Sequence, residues 1–267
     1  MELLVDSKQM PFEKVYATLV KDILSSQDEI VKRNDYYFLI AEYAESEHRS
    51  IMSSDSLKMA QEMFNIKKSQ YNEILSLKRN NAVIKMSKES AKQVNIHEQN
   101  FTNQLENAEK FKLLALDCYL KSIVYSDVHL NAVFKLVDLW FTHYASSSVN
   151  SIVMKYVNLL PCYKFIALNY QCFARLDPSE KENEFQAVLS TLCKRMTIEH
   201  PFHCILVLML LQKAKKENAF NEFFTPVQQL YSEFYKLSDA YTEVAFLPVK
   251  MQDGRPVDPK PSFKPKV

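Results

Sequence analysis

The sequence predicts an all-α protein of stacked antiparallel helical pairs, an α-solenoid-like array that ends in an extended Pro-rich tail. Three observations support this fold class. Apolar residues recur at three- and four-residue spacing along most of the chain, as on the buried face of a helix. Glycine occurs once in 267 residues. Of the ten prolines, five follow residue 247, where no long helix is expected to persist.

The scarcity of glycine also excludes classes of site. At an ordinary share of roughly 7%, a chain this long would carry on the order of 19 glycines, yet it has only Gly254. Glycine provides the left-handed turns of hairpins and lets a backbone approach phosphate groups closely. Both the dinucleotide fingerprint and the Walker-type loop need several glycines in a short window. We therefore expect no cofactor, and no catalytic, cofactor-binding or metal residue is predicted.

The charge, the apolar runs and the cysteines of the chain limit its possible binding partners and location. The formal net charge is +1, so no overall field attracts nucleic acid or an anionic membrane. The N-terminus lacks the features of a signal peptide, and the most apolar run, Cys204 to Leu211, is far too short to span a bilayer. The cysteines form no CxxC pair, and we expect them to be reduced core residues of an intracellular protein. They are Cys118, Cys162, Cys172, Cys193 and Cys204.

Periodicity places the helices along the chain. They are predicted over residues 11–24, 34–49, 55–100 with a break near 79–82, 101–123, 133–141, a short one ending near 159, then 161–176, 181–196, 201–214 and 221–246. Asp55 is the expected N-cap of the third, and Asp177-Pro178-Ser179 is an expected turn and cap. Pro161 and Pro201 suit first helical turns, and Pro226 is an expected kink. The run 145–150 is predicted to separate two helices.

Residues 55–100 are polar, with a sparse apolar seam. Two interpretations remain open: a solvated pair of helices packed on its neighbours, or a coiled-coil dimerisation surface. The seam consists of Met59, Met63, Ile66, Ile74 and Val83. In the compact region that follows, Trp140, Phe165 and Leu208 are predicted core residues. The last predicted helix carries Leu230, Phe234, Leu237, Ala240 and Tyr241 at helical spacing.

Five motifs in the compact region carry a family resemblance by their order and spacing. They are ALDCYLKSIV (115–124), VFKLVDLWF (133–141), VN (149–150), LPCYKFIALNYQCFARLD (160–177) and HPFHCILVLMLL (200–211). Together they resemble the FAT region of the ataxia-telangiectasia-mutated (ATM/Tel) branch of the phosphatidylinositol-3-kinase-related protein kinases. FLIAEYAESEHRSI (38–51) and LSDAYTEVAF (237–246) extend the similarity; the latter resembles the last FAT helix before the kinase N-lobe.

The resemblance implies a TPR- or HEAT-like FAT scaffold with three segments. Residues 1–33 are expected to form an N-terminal helix of the array, 34–247 the FAT-like helical domain, and 248–267 the Pro-rich tail. The family further implies protein partners: a kinase domain in cis or trans and a possible second copy in a homodimer. The near-zero net charge and the short apolar runs predict no direct nucleic-acid or membrane contact. It also implies a serine/threonine kinase family, DNA-damage signalling and a nuclear location, with a cytoplasmic one left open.

The sequence also departs from the family pattern. In His200-Pro201-Phe202-His203 a phenylalanine replaces one histidine, and the chain ends where a kinase N-lobe is expected. No nucleotide-binding lysine strand, catalytic Asp/Asn loop or Asp-Phe-Gly triplet is found. A non-catalytic scaffold that positions a kinase domain is therefore the first hypothesis. A free-standing helical protein–protein adaptor that has lost its kinase is the alternative.

Several sets of residues have two possible interpretations, one functional and one purely structural. His200, His203, Cys204 and Cys193 suggest a zinc site or, alternatively, helix capping and core packing. Five aromatic residues could line a groove that binds a peptide, or could simply be part of the core: Trp140, Phe141, Tyr163, Phe165 and Tyr170. Ser26-Gln27 and Ser69-Gln70 match the Ser-Gln preference of the resembled kinases and are candidate modification sites. Lys67 and Lys68 are too isolated for a nucleic-acid patch.

Overall fold

A computed structural model describes residues 30–77, 81–177, 182–215 and 225–245, with isolated residues at 14, 17–18, 180, 223, 251–252 and 255–256. The predicted helix over 11–24 lies outside the described residues except at 14, 17 and 18. The helices in chain order are α1 (Ile30–Ser53), α2 (Asp55–Ser76), α3 (Asn81–Tyr125), α4 (Asn131–Thr142), α5 (Ser147–Tyr156), a 3₁₀ helix (Cys162–Leu168), α6 (Asn169–Ala174), α7 (Glu184–Glu199), α8 (Pro201–Lys215), a second 3₁₀ helix (Thr225–Val227) and α9 (Gln228–Ala245).

The prediction of an all-α protein is confirmed, with one local exception in the tail. There β1 (Met251–Gln252) pairs antiparallel with β2 (Arg255–Pro256), a short pairing of extended backbone that was not predicted from the sequence. In the sequence, the dipeptide between the two strands is Asp253-Gly254, a combination that two-residue hairpin turns favour. Within the described residues these are the only strands.

The chain divides into two compact units, residues 1–164 and 165–267. This division falls inside the predicted 34–247 domain, whose limits at 33/34 and 247/248 stay predictions. In the first unit, α3 is 45 residues long, which corresponds to about 68 Å. Helices α1 and α2 both pack along α3, one after the other. A hydrogen bond from Ser56 to Gln104 joins α2 to α3, and one between His48 and the carbonyl of Ala108 joins α1 to α3. Helices α4 and α5 also pack on α3.

The predicted break near 79–82 is confirmed, because α2 ends at Ser76 and α3 begins at Asn81. The predicted seam of α2 is wrong in its phase. Leu57 and Ala60 are buried and Phe64 stacks on Phe101 at 6.2 Å between ring centroids. Met59, Met63 and Ile66 of the predicted seam are exposed instead. Both sets of residues follow the 3.6-residue period of a helix, so the period alone does not tell which set is buried. The set that faces α3 is the buried one.

Helix caps explain two further corrections. Ser54, not Asp55, is the N-cap of α2: its Oγ accepts a hydrogen bond from the amide of Leu57 at 3.1 Å. Asp55 is the first helical residue, where a carboxylate is favoured by the helix dipole. Helix α5 begins inside the predicted break 145–150, because Ser146 caps it through the amide of Val149.

The segment after Pro161 begins as a 3₁₀ helix and becomes α6, where one continuous helix over 161–176 was expected. Here Lys164 caps the end of α3: its Nζ donates to the carbonyl of Ile123 at 2.7 Å and to that of Ser126, and lies 2.9 Å from Asp127. The Lys164 side chain is buried. A buried ammonium that satisfies helix-terminal carbonyls holds Lys164 against the end of α3.

The second unit is built from α6, α7 and α8, which pack on one another. Helix α7 starts at Glu184 because Asn183 caps it, three residues later than predicted. The predicted cap at Pro178 and Ser179 lies outside the described residues. Helix α8 begins at Pro201, as predicted. Helix α9 begins only at Gln228, because the preceding residues around Pro226 form a 3₁₀ turn.

A buried polar network joins α1, α3 and α4 in the first unit. The Glu45 carboxylate is buried and accepts a hydrogen bond from Tyr119 Oη at 2.6 Å. It also pairs with Arg49 and lies 3.5 Å from Lys135 Nζ. Burial, reinforced by the bond to Glu45, raises the pKa of Tyr119 well above its usual range. The phenol therefore stays a donor, and the carboxylate remains satisfied.

Trp140, Phe165 and Leu208 are all buried, as the sequence predicts. Trp140 is 1% exposed, and its Nε1 donates to Asn150 Oδ1 at 2.9 Å. We expect Trp140→Ala to lower the free energy of unfolding by about 3–5 kcal/mol, because it leaves a cavity and an unpaired amide. Urea unfolding measures this loss. Phe134→Ala, on the same helix but 52% exposed, is the control and should change stability by about 0.5 kcal/mol or less. Equal effects of the two changes would contradict the packing of α4.

Two histidines make unfolding depend on pH. Burial, followed for His143 by the nearby charge of Lys112, lowers the pKa of His48 and His143 below the ordinary 6.5. The unfolded chain therefore takes up protons at a higher pH than the folded one, and stability falls as pH drops below about 6.5. Melting temperatures measured from pH 7.5 to pH 5 should fall less steeply for the double variant His48→Gln, His143→Gln. Parallel curves for variant and parent would contradict this assignment.

Candidate protein-docking groove

Helices α8 and α9 of the second unit border an open apolar groove of about 510 Å³. We call it the α8–α9 groove. Its lining residues are mostly apolar or aromatic, with three hydroxyls and no charged group: Leu206, Phe234, Leu237, Ser238, Tyr241, Thr242 and Ala245.

Helix α8 has apolar residues on two sides, and only one of these sides is buried by packing within its unit. Cys204, Ile205 and Leu208 are fully buried. On the other side, Leu206 is 49% exposed, and Phe202 and Leu210 are exposed at four-residue spacing from it. Because residues four apart lie on one face of a helix, these three form a continuous apolar stripe.

Helix α9 contributes the opposite wall. Leu237 and Tyr241, which the sequence places on this helix, are 52% and 69% exposed. No described residue of α9 is fully buried. An edge-to-face contact between Phe202 and Phe234, at 6.0 Å between ring centroids, joins the two helices. The described residues of this unit leave the apolar side of α9 uncovered.

The groove has the chemistry of a protein-docking surface. Thr242 Oγ1 donates to the carbonyl of Ser238 at 2.8 Å, so this hydroxyl is already engaged within the helix. Helix geometry puts the charged positions 236, 239 and 243 of α9 on the opposite face. A groove between two helices with an uncharged apolar lining suits the apolar face of a protein segment, such as an amphipathic helix.

The residues considered for a zinc site serve capping and packing. Cys193 and Cys204 are buried, and burial raises the pKa of the Cys204 thiol to about 11. His200 is the C-cap of α7, and its amide donates to the carbonyl of Met196 at 2.9 Å. The carbonyl of His203 accepts from Asn169 Nδ2 at 2.8 Å. Across the described ranges, no three His, Cys, Asp or Glu side chains are grouped to hold a metal ion.

The other candidates separate by exposure. Trp140, Phe141 and Phe165 are core, whereas Tyr163 and Tyr170 are exposed, so the five aromatic residues do not form one groove. All five cysteines are buried free thiols, as predicted.

Ser69 lies exposed on α2, and Ser26 lies outside the described residues. Beside Ser69, Lys67 Nζ donates to Gln70 and Lys68 lies over the Phe64 ring, so both lysines have local partners. Among the helices that the structure describes, none is long and apolar enough to cross a membrane.

The sequence motifs did not predict the groove itself. The signal was present in Phe202, Leu206 and Leu210, a second apolar stripe on a helix whose buried stripe was already complete. On sequence grounds alone, a helix that is apolar nearly all round is expected to be buried on every side. Only the positions of α7 and α9 show which side remains open.

The chain is similar in sequence to several protein kinases. It is 32% identical over 130 residues to the serine/threonine-protein kinase ATM of Arabidopsis thaliana, a match that covers 47% of this chain and 3% of the relative. It is 24% identical over 223 residues to the serine/threonine-protein kinase TEL1 of Candida albicans, covering 79% of this chain and 8% of that kinase. The chain thus spans less than a tenth of these relatives. No protein-family model matches it.

Solved structures agree in fold. The FAT and kinase domain of CtTel1 superposes with a TM-score of 0.77 at 18% identity, covering 92% of this chain and 17% of that one. The complete CtTel1 dimer with C2 symmetry matches with a TM-score of 0.76 at 19% identity, covering 92% of this chain and 9% of that one. The resemblance stated from the motifs is therefore confirmed: the homologues of this chain are ATM and TEL1 kinases, and its all-α fold is that of the matched part of Tel1.

Proposed function

We propose that the chain is a helical scaffold that positions a kinase domain, and that the α8–α9 groove is its docking surface. One observation carries the proposal: the apolar face of α9 is uncovered, with Leu237 and Tyr241 more than half exposed. In sequence this helix resembles the last FAT helix before a kinase N-lobe. A kinase domain docked here would cover the face that the second unit leaves open.

The energetics favour such docking. Each Å² of apolar surface removed from water contributes about 25 cal/mol. The groove concentrates Leu206, Leu237 and Tyr241 on two adjacent helices. Large aromatic and aliphatic side chains at the centre of an interface typically supply most of its binding energy. An exposed apolar strip of this kind is a recognised mark of a protein-binding site.

The rest of the second unit supports the groove rigidly. The buried side of α8 packs with α6 and α7. Leu208 is fully buried only two residues from exposed Leu206, so the core fixes the helix that presents the groove. A docking surface held by a packed core loses little conformational entropy on binding.

The chain covers 17% of the CtTel1 chain that holds the FAT and kinase domain. Serine/threonine kinase activity is therefore ascribed to the relatives, and scaffolding is what we propose for this chain. A place in DNA-damage signalling and a nuclear location are parts of the same proposal and are supported by the resemblance alone.

A binding measurement tests the docking proposal. The full chain is titrated with the kinase domain of the Candida albicans TEL1 relative in a calorimeter. We expect saturable binding, weakened by about tenfold or more in the double variant Leu206→Ser, Tyr241→Ser, because the centre of the groove loses its apolar anchors.

Tyr170→Ser is the matched control, since Tyr170 is an exposed aromatic residue in the same unit but outside the groove. It should bind like the parent chain. Melting temperatures close to the parent value show that the variants are folded. Undiminished binding by the groove variant, or no binding by the parent chain, would overturn the docking proposal.

Self-association is a second component of the proposed function. Met59, Met63 and Ile66 are exposed on one face of α2 at four- and three-residue spacing. Two of the structural neighbours are dimers by name, the complete CtTel1 dimer and the Tel1 kinase butterfly symmetric dimer. We propose that this stripe is an apolar contact surface for a second copy.

Sedimentation equilibrium of the full chain measures that association. We expect a monomer–dimer equilibrium, and the triple variant Met59→Ser, Met63→Ser, Ile66→Ser should shift it towards monomer by about tenfold in the dissociation constant. Met154→Ser, an exposed methionine on α5, is the control. An equilibrium that the triple variant leaves unchanged would exclude the stripe as the contact.

A further inference from the structure

The first unit contains a cleft of about 470 Å³, lined by both apolar and ionisable side chains, that the proposed function does not use. We call it the histidine cleft. It is formed by α1, α3 and the residue that ends α4. The lining residues are His48, Met52, Leu105, Glu106, Ala108, Glu109, Lys112 and His143.

A buried imidazole in this cleft has an unused nitrogen. His48 is 8% exposed, and its Nδ1 lies 2.9 Å from the carbonyl of Ala108. A carbonyl only accepts, so Nδ1 carries the proton and Nε2 presents a lone pair. Within the described part of the chain, Nε2 has no hydrogen-bond partner. Among the described side-chain nitrogen and oxygen atoms, only Ser122 Oγ is fully enclosed and lacks a hydrogen-bond partner. His48 Nε2 also lacks a partner, so it is not fully enclosed and is open to the cleft.

His143 adds a second imidazole. Its ring centroid lies 5.7 Å from that of His48, at an interplanar angle of 74°. Its ring nitrogens make no hydrogen bond within the residues that the structure describes. Burial and the charge of Lys112 keep the pKa of this ring below its usual value, so it is neutral at pH 7 and offers a further acceptor.

The charges around the cleft favour a cationic guest. Glu106 and Glu109 line it, while the only lining ammonium, that of Lys112, is paired with Glu109. Glu109 also accepts from Ser148 Oγ at 3.0 Å. The lining therefore offers two carboxylates and two neutral imidazoles beside one ammonium that is already satisfied.

We propose that the histidine cleft binds an arginine side chain presented by a protein partner. A guanidinium carries five N–H donors and no acceptor, which complements imidazole lone pairs and carboxylate oxygens. Its flat, weakly hydrated faces and three-carbon stem suit a lining that includes Met52 and Leu105. A lysine ammonium is a compact and strongly hydrated charge that matches the planar spread of these acceptors less well.

A titration with blocked tripeptides tests the proposal on the full chain. Acetyl-Ala-Arg-Ala-amide is compared with its citrulline analogue, which has the same shape without the charge, and with the lysine analogue. Binding is followed by the NMR signals of the His48 and His143 rings at pH 7.5. We expect saturable shifts with the arginine peptide and binding about tenfold weaker for either analogue.

Glu106→Gln removes an exposed carboxylate that makes no ion pair with the described part of the chain, and it should weaken arginine binding by about tenfold. Glu98→Gln, an exposed glutamate two turns earlier on α3, is the matched control and should leave it unchanged. Equal binding of arginine and citrulline peptides, equal binding of the lysine peptide, or an unaffected Glu106→Gln variant would each overturn the proposal, as would the absence of saturable binding.

Discussion

Burial of the C-terminal half of α3 is the constraint on which the first unit depends. Ala115, Leu116, Tyr119, Leu120 and Ile123 are buried together because α1, α4 and α5 all pack against this part of the helix. The remainder of α3 pairs with α2, and none of its described side chains before Ala108 is fully buried. The buried half therefore anchors the unit, and Lys164 caps the end of the helix within the same unit.

Burial on several sides of one helix requires polar groups to be satisfied inside the core. Tyr119 lies on α3, and its hydroxyl meets the buried carboxylate of Glu45 from α1, which Lys135 of α4 approaches. Such a network specifies which faces of the three helices meet, because an unpaired buried carboxylate is costly. The histidine cleft lies beside this network, where His48 donates to the backbone of α3. Acceptors left open at the edge of a rigid core are preorganised for a ligand.

Much of this fold could be predicted from the sequence. The start of α8 at Pro201, the break between α2 and α3, and the buried positions of Trp140, Phe165 and Leu208 follow from proline placement and apolar period. The α8–α9 groove and the histidine cleft could not be predicted. His48 and His143 are far apart in sequence, and the cleft exists only because α1 and the end of α4 meet on α3.

The sequence by itself determined the fold class and the family resemblance, because both depend on local properties. The 3.6-residue period and the scarcity of glycine act within single helices, and the ordered motifs are patterns of sequence. Tertiary structure alone decided which apolar stripe is core and which is surface. Leu208 and Ala60 are buried, whereas Leu206 and Met59 are exposed, and the helical period alone does not tell which of them faces the core. A helix buries whichever face its neighbours cover. That choice is made by non-local packing, and it leaves the groove and the cleft open.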